Sequence, residues 1–207
     1  MSAFCYFFAA IANVLWLFVG DRLSMWQQMS IPVITVGLIG AGAVFSCAHI
    51  PQEGRKRRMK RFLWIILIYY LAILSVLLFF GGLFHLDRVW GGPVNLEPFY
   101  TIRNFFIHYR RTGSLSSLFN LLGNIAILVP LGVLLPVMFR SMRHFWTFLP
   151  LAALIAVGVE YLQWRTATGI ADIDDSILNF IGAAAGYFVT RLCQIVYHLI
   201  QKRTKLK

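Results

Sequence analysis

"GVEYLQWRTATGIADIDDSILNFIGAAAG", residues 158–186, is a polar corner set between two apolar stretches. It carries Glu160, Gln163, Arg165, Asp172, Asp174, Asp175 and Asn179. Apolar sequence leads into it from Trp146 and out of it to Ile200. Crossing the hydrocarbon takes about 20 apolar residues in helical form. The stretch therefore reads as the outer hairpin between two spanning helices.

The rest of the chain agrees. Of 207 residues, 59% are hydrophobic and only 13% charged, with a mean hydropathy of +0.71. A soluble domain needs more charge to cover its surface. The short alternating segments of a β-barrel are absent, which leaves an all-α integral membrane protein. Cys5, Cys47 and Cys193 are far apart in or beside apolar runs and read as small buried hydrophobes. Ser2–Val19 lacks a basic start and a small-residue cleavage site, so it is not read as a signal peptide. The net charge of +11 sits at the ends of apolar runs, which points to topology and anionic lipid rather than nucleic acid.

Six apolar runs are expected to span: Ala3–Gly20, Ile31–Ile50, Phe62–Phe84, Leu118–Phe139, Trp146–Trp164 and Ser176–Ile200. Ala3–Gly20 would also suit a shallow insertion. The expected fold is a bundle of about six transmembrane helices, with a short amphipathic interfacial helix between the third and fourth. Residues 1–61 form an N-terminal helix pair with a basic cytoplasmic loop. Residues 62–201 form a four-helix membrane domain, and residues 202–207 a basic cytoplasmic tail. Arg55–Arg58 with Lys60 and Arg61, then Arg140 and Arg143, then Lys202, Arg203, Lys205 and Lys207 fall on one side. The positive-inside rule makes that side cytoplasmic, with both termini, in a bacterial plasma membrane.

Depth and facing then bring polar groups together. Asn124, Glu160 and Asn179 each lie five or six residues inside their runs, or roughly 8–10 Å below the outer rim. Asn120 and Asn124 share one helix face, as do Glu160 and Gln163. Asp175, Asn179, Gly182 and Gly186 recur along another, and Gly182–Gly186 is a G-x-x-x-G pattern that permits close helix approach. Interhelical hydrogen bonding accounts for the amides equally well. A carboxyl group such as Glu160 inside a span is costly and points to function. Asp172, Asp174 and Asp175 exceed what one helix cap needs, and they are candidate oxygen ligands for a divalent cation.

Residues 85–117 are too polar to span. Gly91-Gly92-Pro93 marks a turn. Phe99, Ile102, Phe106 and Tyr109 recur at helical spacing, and Arg103, Arg110 and Arg111 interrupt them. An amphipathic helix in the outer interface is expected, either as an anchor or with its guanidinium groups on a phosphate headgroup. Pro130 and Pro136 are expected to kink the fourth run.

Taken in order, "VNLEPF", "NLLGNIAILVPLG", "VEYLQ" and "DIDDSILNFIGAAAGY" resemble the VanZ-like family, associated with teicoplanin resistance. The resemblance covers about Phe62–Arg191. It implies a multi-pass membrane protein whose namesake accompanies glycopeptide-resistance genes and lowers susceptibility to teicoplanin without remaking the cell-wall precursor. The positions it carries over are Asn95, Pro98, Phe99, Asn120, Asn124, Pro130 and Gly132. They continue through Glu160, Gln163, Asp172, Asp174, Asp175, Asn179, Gly182 and Gly186. The chain departs from the pattern at Ile170-Ala171, where many members have a basic residue, and at Val129, where an aromatic is frequent.

Three functions compete. One is a non-enzymatic accessory whose outward polar pocket binds a lipid or a lipid-linked cell-wall precursor, or hinders a lipoglycopeptide. Its expected ligand-binding residues are Asn95, Arg103, Asn120, Asn124, Glu160, Gln163, Arg165, Asp172, Asp174, Asp175 and Asn179. The second is an enzyme modifying an envelope lipid, with Glu160 and Asp175 as acid, base or metal ligand. No Ser-His-Asp order, paired histidine motif or nucleotide loop supports it, and no cofactor is expected. The third is a lipid or ion-coupled transporter, against which no acid lies deeper in the spans.

Overall fold

The computed structural model describes residues 52–75, 78, 93–166 and 170–204. The expected runs Ala3–Gly20 and Ile31–Ile50, most of residues 76–84 and the Gly91-Gly92 turn lie outside the described residues. The chain forms two compact units, Met1–Ile73 and Leu74–Lys207.

α1 runs over Gln52–Ser75, all but its last two residues in the first unit. It starts at Gln52 rather than Phe62, so the basic cluster is already helical. Arg and Lys are good helix formers, and from Arg55 to Arg61 nothing breaks the turn. The exposed side chains of Arg57, Arg58 and Arg61 occupy its N-terminal turns, while Leu67 and Tyr70 are buried.

The second unit holds β1 (Val94–Asn95), α2 (Tyr100–Thr112), α3 (Ser116–Met138), a 3-10 turn (Ser141–Arg143), α4 (Phe145–Arg165), β2 (Ala171–Asp172) and α5 (Ile173–Thr204). Asn120–Met138, Phe145–Arg165 and Ile173–Thr204 are each long and apolar enough to cross a membrane. They match the last three expected runs closely, because the apolar stretches there end at clear stops. Thr166 closes α4 by donating its amide and its hydroxyl to Leu162 O, at 2.9 and 2.7 Å. Gly113, at φ 67°, closes α2 in the left-handed conformation that glycine adopts without strain.

α5 is the central element. It runs parallel to α3, and the two backbones touch along a seam of small residues. A Cβ on Gly182 would lie 1.8 Å from Ile125 O, one on Gly186 2.4 Å from Val129 O, and one on Gly132 2.1 Å from Ala183 O. Glycine is required here because no side-chain atom fits between the helices. In lipid this close backbone contact replaces the hydrophobic drive available in water. α3 continues as one helix through Pro130 and Pro136. The carbonyl of Pro136, near its end, accepts Arg143 Nε at 3.1 Å and Gln194 Nε2 at 3.3 Å.

α4 packs on α5 through one stripe. Phe148, Ala152, Ala156 and Glu160, each four residues apart, are all buried. Phe148 stacks on Tyr187 with ring centroids 4.6 Å apart, and Tyr187 Oη donates to Arg143 O at 2.9 Å. The other faces of α4 expose Trp146, Leu154, Val157 and Tyr161, which suits contact with lipid.

The fold contains one element that no pattern announced. β1 and β2 pair in parallel, Val94 with Ala171 and Asn95 with Asp172. Two-residue strands are too short to show alternation. They tie the segment before α2 to the residues before α5. Phe99 is bent there into the left-handed region, at φ 65°, which costs a non-glycine residue on the order of 1–2 kcal/mol. Its side chain is exposed. Phe99→Gly is therefore expected to stabilise the purified protein by up to about 1 kcal/mol, read as a higher unfolding temperature in detergent. A lower unfolding temperature would mean that the exposed ring contributes more than its backbone costs.

Candidate functional site

Both polar centres at this end of the bundle are built on the first turns of α5. The outer one uses Asp172 and Asp174. Asp172 Oδ1 accepts the Asp174 amide at 2.9 Å, the geometry of a helix N-cap. The same carboxylate accepts Asn95 Nδ2 at 3.1 Å and Thr101 Oγ1 at 2.5 Å. Asn95 Nδ2 also donates to Thr101 Oγ1 at 3.1 Å.

Asp174 is fully buried, at 0% exposure. Its Oδ1 accepts the Phe99 amide at 2.5 Å and its Oδ2 the Ile102 amide at 3.0 Å. These amides lie at the N-terminus of α2, where a helix leaves its donors free. Asp174 thus caps a helix from 72 residues further along the chain than Ile102. α2 has no side-chain cap of its own and no acid in its first turn, so the cap comes from α5. The carboxylate sits at the positive ends of two helices, which offsets its burial.

The inner centre lies one turn further along. Asp175 Oδ1 accepts Asn124 Nδ2, joining α5 to α3. Asn179 Nδ2 donates to Glu160 Oε1 at 3.5 Å, joining α5 to α4. Glu160 is 7% exposed and Asn179 2%. Glu160 also interacts with the Asp172 backbone and with the Asp175 carboxyl group. Asn179 Oδ1 is buried with no hydrogen-bond partner, a state that is uncommon and costly in folded proteins.

Of the residues singled out by sequence, Asn95, Asn124, Glu160, Asp172, Asp174, Asp175 and Asn179 are thus linked in these two centres. Gln163 is half-buried on α4. Arg103, Asn120 and Arg165 are exposed and lie outside the hydrogen-bonded set. Among the described residues, no three His, Cys, Asp or Glu side chains are grouped to hold a metal ion. Asp172 and Asp174, offered as ligands with Asp175, turn their oxygens to protein donors instead. Thr101 is the residue that sequence reasoning misses. A threonine near a helix start is common, and only the β1–β2 pairing shows that it meets Asp172.

Apolar helices long enough to cross a bilayer, clasped around buried acids and amides at one end, define a helical membrane protein with an internal polar site. The VanZ/LLP1 family model matches residues 63–194, more than half of the chain. The protein belongs to that family. No curated protein and no solved structure matches the chain.

Proposed function

We propose that this VanZ/LLP1 protein binds the headgroup of an envelope lipid or lipid-linked precursor at the inner centre, from the outer face of the plasma membrane, and so lowers susceptibility to teicoplanin-type lipophilic glycopeptides. In this reading the chain crosses the membrane about six times with both termini cytoplasmic, and α2 lies in the outer interface. The observation that carries it is the convergence of Asn124, Glu160, Asp175 and Asn179 from three helices, with one buried oxygen still unsatisfied. Simple helix glue would satisfy its own members.

α2 supports the same reading. It has no buried residue, it is held by Asp172 and Asp174, and it exposes Arg103, Arg110 and Arg111 beside Phe106 and Tyr109. Guanidinium groups suit phosphate oxygens, and aromatic rings suit the headgroup layer.

The test is drug susceptibility of a Gram-positive host expressing the chain, with teicoplanin and vancomycin in parallel. Wild type is expected to protect selectively against teicoplanin. Glu160→Gln and Asp175→Asn, at matched membrane levels, are expected to return the host to the vector control. Protection by both variants equal to wild type would make the inner centre structural only.

A further inference from the structure

The inner centre is rich in acceptors and poor in donors. Glu160 and Asp175 bring four carboxyl oxygens, and Asn124 and Asn179 bring two carbonyl oxygens. The donors in contact are two side-chain amide nitrogens, one of them at 3.5 Å, and the Asp172 backbone, which hydrogen-bonds Glu160. Among the described residues no Arg or Lys pairs with either acid; the charges that act on Glu160 and Asp175 are other aspartates. Asn179 Oδ1, 2% exposed, has no partner. Hydroxyl groups bring one donor and no charge. A primary ammonium brings three donors and one positive charge.

We infer that Glu160, Asp175 and Asn179 receive a primary ammonium group, carried by an amine-bearing lipid headgroup or by a soluble amine. The inference rests on the headgroup reading above and narrows it. Of the three residues Asp175 is half-buried while Glu160 and Asn179 are buried, so the group would enter past Asp175. A quaternary ammonium has the charge but no N–H, so it leaves Asn179 Oδ1 unsatisfied. Sites built to accept a hydrogen bond reject analogues that lack it far more strongly than charge alone would.

The experiment uses the full chain in phosphatidylglycerol vesicles doped equally with phosphatidylethanolamine, its N-methylated forms and phosphatidylcholine. After detergent extraction, retained lipids are quantified by mass spectrometry. Phosphatidylethanolamine is expected to be enriched over phosphatidylcholine by roughly tenfold or more, falling stepwise with N-methylation. This comparison uses wild-type protein and is independent of any folding defect. Glu160→Gln is expected to abolish the preference. Displacement by excess free ethanolamine would assign the amine to a soluble source, and its failure to a lipid. Equal retention of both zwitterionic lipids, or a preference that survives Glu160→Gln, would overturn the ammonium site. Glu160-dependent retention of phosphatidylglycerol without amine preference would overturn it while leaving the headgroup reading in place. Lipid retention wholly independent of Glu160 would remove both.

Discussion

Gly182→Leu is expected to abolish the folded second unit. The first atom of any side chain at this position would sit 1.8 Å from Ile125 O, and that oxygen belongs to a helix backbone. A flexible side chain could swing away from such a clash; a backbone carbonyl in a regular helix cannot. α3 and α5 would have to part, and parting breaks the neighbouring contacts of Gly132 and Gly186 along the same seam. The cost is put at about 3 kcal/mol or more, the upper range for overpacking. Asn124 would also be drawn away from Asp175, so the site should fail with the seam. The check is unfolding temperature and trypsin resistance in detergent, set against Gly158→Leu. A Cβ on Gly158 would meet nothing within 4 Å, so leucine there should be tolerated. Equal stability of the two variants would contradict the close α3–α5 seam.

Asp174→Ala is expected to release α2 from the bundle. The substitution leaves the Phe99 and Ile102 amides without their acceptor in a part-buried setting. A buried orphaned amide costs about 1–3 kcal/mol, so two part-buried ones together cost on the order of 2–4 kcal/mol. Asn in place of Asp keeps one acceptor oxygen and should fall between alanine and wild type. The measurement is hydrogen exchange over residues 94–112. Alanine should lose protection there while α3, α4 and α5 keep theirs. Protection unchanged across α2 would mean that its docking does not depend on the cap supplied by α5.

Most of the second unit was legible in the sequence, for a physical reason. Apolar runs of spanning length with clear stops leave little freedom in where helices begin and end, and period 3.6 decides which side is buried. Phe148, Ala152, Ala156 and Glu160 fall on one stripe by spacing alone, and the Gly182–Gly186 pattern announced the close helix. The division of labour among the aspartates was not legible. "DIDD" reads as surplus charge at the start of one helix. Only the pairing of Asn95 with Asp172 across 77 residues shows that two of the acids organise a second element. That pairing rests on two-residue strands, beneath the reach of any periodicity. The unpartnered Asn179 oxygen is likewise a property of packing, since its sequence neighbours give no sign of it.

The measurement that bears most directly on the proposed site is the sidedness of the polar end. Asn120, exposed at the start of α3, and Arg203, exposed near the end of α5, mark opposite ends of the bundle. With Cys5, Cys47 and Cys193 replaced by serine, Asn120→Cys and Arg203→Cys would each be exposed to a membrane-impermeant maleimide on intact cells. An outward-facing site requires labelling at position 120 without permeabilisation, and at position 203 only after it. The reverse pattern would put the acids and amides on the cytoplasmic face, and an outer-leaflet ligand could not reach them.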